Sequence, residues 1–191
     1  MSQATALETL IQSLTSVGAK YLVTGSVASS AQGIPRFTRD TDLVVQLGGF
    51  QMARLATALG RDWYMDPDFA RESFSRGRSF SVIHIPSGSK FDLFPANSEF
   101  HDSELTRAAV RSVTLASGSV SCYVATAEDI ILSKLRWYRD GGQVSEQQWS
   151  DIGGMLAVNR NLDFTYLDHW AKRLQVADLL DKAVKMAQES L

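Results

Sequence analysis

A single cysteine, Cys122, excludes any disulfide within the chain. Its setting, Val120-Ser-Cys-Tyr-Val, puts it on the strand face shared by Val120 and Val124, where it reads as a small buried hydrophobe. The three histidines, His84, His101 and His169, are scattered without metal-ligand spacing, so no histidine-based metal chemistry is expected. There is no run of about 18 apolar residues, and no basic segment followed by an apolar stretch at the start. The expectation is a soluble cytoplasmic protein with no membrane partner. Acidic residues exceed basic ones by only two charges, which gives no general attraction for nucleic acid, so any polynucleotide contact would be local. A Gly-x-Ser-x-Gly elbow, a Walker lysine loop and a dinucleotide fingerprint are all missing, which argues against hydrolase, P-loop and Rossmann readings. Repeats and low-complexity tracts are missing too.

What is present suffices for one ordinary domain, or for a core with a small helical cap: 191 residues, 45% of them hydrophobic. Leu7, Leu10, Ile11 and Leu14 recur at helical spacing, and Gly18 ends that helix. Apolar Tyr21–Val23 reads as a strand that runs into Gly25-Ser26 and a short helix of small residues. Gly33-Ile-Pro-Arg breaks any helix. A second strand then carries Asp40 and Asp42 and closes at Gly48-Gly49. A helix follows from Phe50 to Leu59. Asp66-Pro-Asp starts another short one, with Phe69 and Phe74 expected to lie over the sheet. Arg78–Ile85 and the strand around Asp92 form one hairpin; Val110–Leu115 and Val120–Val124 form a second. From Thr126 onward the pattern is helical.

Strand side chains alternate, so Arg36, Thr38, Asp40 and Asp42 share one face if the strand begins early enough. Two carboxylates held a few Å apart repel by about 1 kcal/mol in water and nearer 4 at an effective dielectric of 20. A fold that keeps them together usually supplies a cation, and Mg²⁺ suits hard oxygen donors shared with a phosphate. Gly25 permits close backbone approach, and Ser26 is a good helix cap. The N–H groups and dipole of the following turn favour an anion. Phosphate donors beside paired carboxylates point to phosphoryl or nucleotidyl transfer.

Gly-Ser, a spacer, then Asp-x-Asp between apolar residues resembles the signature of the nucleotidyltransferase superfamily with the polymerase-beta-like core. Within it, Glu128-Asp-Ile-Ile-Leu-Ser-Lys-Leu and Gln148-Trp-Ser-Asp are similar to the AbiEii-type abortive-infection and toxin nucleotidyltransferases. The spacer between Ser26 and Asp40 is longer than in that branch. The resemblance covers roughly residues 20 to 155. It implies an α+β fold in which a mixed-sheet core, residues 1–125, carries packed helices and is followed by a C-terminal helical bundle, residues 126–191. It also implies transfer of an NMP from an NTP such as ATP to an acceptor hydroxyl on tRNA, protein or a small molecule. A toxin role with a cognate antitoxin belongs to the same implication; the rival readings are a binding-only module and an antibiotic-type enzyme on the same fold.

The family's third carboxylate falls on Asp92 in Lys90-Phe-Asp-Leu-Phe, where Lys90, Asp92 and Phe94 face one way; the rival reading is a strand-edge acid paired with Lys90. Asp40, Asp42 and Asp92 would then be catalytic and hold two Mg²⁺ ions. Gly25, Ser26, Arg36, Thr38 and Lys134 would contact the nucleotide. Charge balance against Asp40 is the plainer role for Arg36 and Thr38. Lys134 lies inside the apolar arc of Ile130, Ile131, Leu135, Trp137 and Tyr138, so it either snorkels or meets an internal anion, phosphate or carboxylate. Asp151 is an accessory catalytic candidate or the partner of Lys134 or Arg136. Arg71, Arg76 and Arg78 read as a polynucleotide contact or as a solvated face.

Overall fold

The architecture follows from a computed structural model that describes residues 2–33 and 40–189. The chain divides into two compact units, Met1–Val27 with Phe37–Ala125, and Ala28–Arg36 with Thr126–Leu191. The first is built on a sheet and the second on helices. Together they make an α+β protein, with seven strands and nine helices among the described residues.

In the sheet unit, α1 (Gln3–Ser16) buries Leu7, Leu10 and Leu14 completely, as its spacing predicts. The Ser2 side chain caps it by accepting from the Thr5 N–H. β1 (Lys20–Thr24) is buried from Tyr21 onward because it sits inside the sheet, antiparallel to β2 (Asp40–Gln46) and parallel to the late strand β7 (Gly118–Val124). A strand covered on both faces reads as an unbroken apolar run, which is why Tyr21-Leu-Val is legible. α2 (Gly25–Gln32) follows β1 without a spacer, and α3 (Gly49–Leu59) turns Met52, Leu55 and Leu59 inward.

β3 (Trp63–Tyr64) was not anticipated; it pairs with β4 (Phe80–His84) at the sheet margin. α4 (Pro67–Ser75) starts at Asp66, whose carboxylate accepts from the Asp68 and Phe69 N–H groups. Here the expectation for Phe69 fails. It is 59% exposed, and Ala70 and Ser73 form the buried side instead, with Phe74 against Phe80 at 5.0 Å between ring centroids. In a nine-residue helix only one arc faces inward, and Ala70 occupies it.

β5 (Ser89–Pro95) runs antiparallel to β4 and parallel to β2. α5 (Glu99–Arg107), capped by Ser98, also escaped the sequence reading. β6 (Ala109–Leu115) and β7 complete the sheet in the order β3-β4-β5-β2-β1-β7-β6. Cys122 is buried on β7, and burial pushes its thiol up to about 11.

The helical unit contains α6 (Ala127–Asp140), α7 (Glu146–Val158), α8 (Phe164–Arg173) and α9 (Ala177–Glu189). Thr126, Ser145 and Asp163 cap the first three by accepting from the Asp129, Gln148 and Tyr166 N–H groups. Ile130, Ile131, Leu135, Ile152, Met155, Leu167 and Leu180 fill its interior. Trp137, placed on the apolar arc by its spacing, is 41% exposed. Among the described residues, no helix is long and apolar enough to cross a membrane.

Candidate active site

The sheet register brings the predicted acids together. Asp42 on β2 and Asp92 on β5 are direct partners across parallel strands, and Asp40 faces Lys90 in the same way. Partners in a ladder point to the same face, and neighbouring strands lie about 4.8 Å apart. Thr24, the partner of Asp42 on β1, and Ser81, the partner of Asp92 on β4, join that face. Leu43, Phe91 and Leu93, one residue out of phase, are completely buried on the opposite face. The alternation that fills the core on one side therefore puts the acids on the other.

At the end of β1 the chain turns into α2 through Gly25, whose φ is +64°. A Cβ on Gly25 would stand 2.0 Å from Asp42 Oδ2. The Gly-Ser corner and the Asp42 carboxylate are thus in direct apposition, an approach that only glycine allows. Helix starts leave backbone N–H groups without intrahelical acceptors, and here that turn begins beside a carboxylate.

Asp92 is held from two sides. Ser81 Oγ donates to Oδ1 at 2.5 Å, and Lys90 Nζ donates to Oδ2 at 2.7 Å. The Asp92 side chain is 19% exposed and that of Lys90 42%. The ammonium of Lys90 is held above its ordinary range first by its bond to Asp92, against an opposing cost of burial, and then by the charges of Asp92, Asp40 and Asp42. A carboxylate offers about four lone-pair directions, so two bonds leave Asp92 able to accept another donor.

These residues suit a hard divalent cation by donor type, and the Gly25 corner packs directly against Asp42. Among the described residues, no three His, Cys, Asp or Glu side chains already converge as a metal cage. Asp40 and Asp42 lie two residues apart on one face of β2, and Asp92 on β5 is turned to Lys90 and Ser81. Arg36 and Thr38 lie outside the described residues. Ser26 stands in the first turn of α2.

Lys134 and Asp151 belong to the helical unit. They form an ion pair at 2.8 Å, with side chains 4% and 9% exposed, and Lys134 also donates to Gln148 Oε1 at 3.1 Å. The internal anion that Lys134 meets is this carboxylate. Arg71 and Arg76 bridge Asp68 and Glu72 on the exposed surface of α4, the solvated-face reading. Ser81 and Thr24 were missed. The tight turn after Ile85 sets the hairpin register that puts Ser81 opposite Asp92, so a register count from that turn was the signal for it.

No family model matches the chain, and no curated protein matches it by sequence. Among solved structures, the antibiotic-resistance factor ANT(2'')-Ia is similar at 14% identity and a TM-score of 0.47, over 98% of this chain and 90% of that one. The same factor in complex with adenylyl-2''-tobramycin gives a TM-score of 0.44 at 14% identity, over 98% and 95%. An antigenic nucleotidyltransferase-like protein from Paracoccidioides brasiliensis gives 0.49 at 17% identity, over 96% and 92%. Nucleotidyltransferases are among these structural neighbours, and the AbiEii branch is not among those named. At such identities and TM-scores the likeness assigns this chain neither a substrate nor a residue role.

Proposed function

We propose that the sheet unit is the core of a metal-dependent nucleotidyltransferase that moves a nucleoside monophosphate from an NTP to an acceptor hydroxyl. The observation that carries this reading is the in-register pair Asp42 and Asp92, with the Gly25 corner closed against Asp42. Asp40 and Asp42 would hold Mg²⁺, and Gly25 with Ser26 would open the first turn of α2 to the β and γ phosphates. Bound there, Mg²⁺ would supply neutralisation of phosphate charge during an in-line displacement. The acceptor oxygen forms its bond to Pα as the bond from Pα to the bridging oxygen of pyrophosphate breaks. The hydroxyl proton passes to the Asp92 carboxylate, which Ser81 and Lys90 hold in place. Lys134 remains in its pair with Asp151.

A toxin or phage-defence role, and an antitoxin as partner, rest on the sequence resemblance. The acceptor decides between such a macromolecular target and an antibiotic-like one. The test is pyrophosphate release from each of the four NTPs with Mg²⁺ and a cell extract. Release that stops on chelation and in Asp42→Ala is expected. NTP binding by calorimetry with no pyrophosphate over hours would favour the binding-only module.

A further inference from the structure

Asp92 carries a cation within the chain. Lys90 Nζ stands 2.7 Å from Asp92 Oδ2, and Ser81 Oγ takes Oδ1. Lys90 also faces Asp40 directly across the parallel ladder, so its ammonium lies on the face that a metal bridging Asp92 to the other acids would use. We infer that Lys90 is a positioning residue that takes the place of a second metal ion, so that the centre binds one divalent cation, on Asp40 and Asp42, and Asp92 serves the acceptor without ligating metal. The inference rests on the nucleotidyltransferase reading and refines it, since the sequence resemblance implies two ions.

Three features favour it. An ammonium at hydrogen-bond distance gives Asp92 the positive charge that a second ion would bring. Lysine is a compact point charge that releases no other ligand and needs no coordination shell, whereas Mg²⁺ demands near-octahedral oxygen donors. Finally, Ser81 fixes the other oxygen, so turning Asp92 toward a shared metal would break two bonds at once.

The experiment counts ions. Mn²⁺ is titrated into the full chain with α,β-methylene analogues of the four NTPs, and bound Mn²⁺ is measured by electron paramagnetic resonance. The wild type and Lys90→Arg are expected to bind one ion per chain. Lys90→Met, which keeps the stem and removes the charge, is expected to bind two. Asp92→Asn is expected to stay at one, and Asp42→Asn to lose it. Two ions in the wild type would overturn the inference and leave the proposed function standing. One ion in Lys90→Met would also overturn it, because the ammonium would then not be what excludes the second. No bound ion in any protein would overturn the inference together with the metal-dependent reading beneath it. The wild-type count is decisive whatever the folding of the variants, and the partial exposure of Lys90 makes its replacement mild.

Discussion

In the helical unit the Asp151 carboxylate meets the Lys134 ammonium at 2.8 Å in a nearly dry setting. Asp129 is likewise held, by the Tyr166 hydroxyl at 2.6 Å and the Thr126 hydroxyl at 2.8 Å. In the sheet unit one ammonium, that of Lys90, is drawn up by three carboxylates at once. Holding a buried charge among buried partners is a structural device, since each charged group costs several kcal/mol to desolvate and its partners offset that. Several acids on one face, with a glycine corner cut to fit one of them, suit the cation uptake proposed above. The same residue types therefore have opposite uses, and the difference lies in register and burial.

The contrast is broken most directly at Asp42. Metal ligation is worth several kcal/mol of charge stabilisation, so Asp42→Ala should lower label transfer from an NTP by about 100-fold or more, while circular dichroism and the melting midpoint stay near wild type. Equal transfer in the variant would remove the acid face from the account.

The opposite result is expected at Lys134. Lys134→Met takes away the ammonium that lies 2.8 Å from the buried Asp151 carboxylate, a change that costs about 3–5 kcal/mol. It should appear as a lower denaturant midpoint. Adding Asp151→Leu should recover most of the loss, because two apolar side chains replace the pair without leaving a charge behind. If the single change leaves stability intact but weakens NTP binding, Lys134 is a phosphate contact after all.

Gly25→Ala probes the corner. The left-handed backbone costs an alanine roughly 1–2 kcal/mol, and the new methyl would displace the Asp42 carboxylate. The variant should melt several degrees lower and bind Mn²⁺ more weakly than wild type, a coupling that a turn of purely structural use would not show.

The smallest effect concerns Cys122. With its thiol lifted from 9.0 to about 11, the folded protein holds about a hundredth of the thiolate of an ordinary cysteine at pH 8. Iodoacetamide should label it slowly in the native state and quickly in urea. Because folding raises this value, the associated stability is complete below about pH 9 and is lost as pH climbs through about 11.

Much of this was legible in the chain because period and burial agree. Tyr21–Val23 and the Lys90–Phe94 alternation each have an apolar face, β2 buries Leu43 and Val45 beside Thr41, and the acids fall where that alternation places them. α5 was not legible because its inward positions are Phe100 and Glu104, which form no apolar stripe. Only Ser98 and the acids after it marked its start. β3 is two residues long, too short for any period. Phe69 was misjudged because hydrophobicity indicates a preference for the interior, whereas helix phase decides who reaches it. The partners of Asp92 were hidden for a different reason. Lys90 is near in sequence and was weighed only as a rival to catalysis, while Ser81 becomes a neighbour only when the hairpin closes.

The most direct measurement of the central claim uses NTP labelled at Pα, incubated with the purified protein, Mg²⁺ and total cell extract, with the acceptor fraction followed in wild type, Asp40→Ala, Asp42→Ala and Asp92→Asn. The account predicts covalent label in one fraction, one pyrophosphate released per label transferred, and loss of both in all three variants. Label transfer that persists in those variants would contradict it.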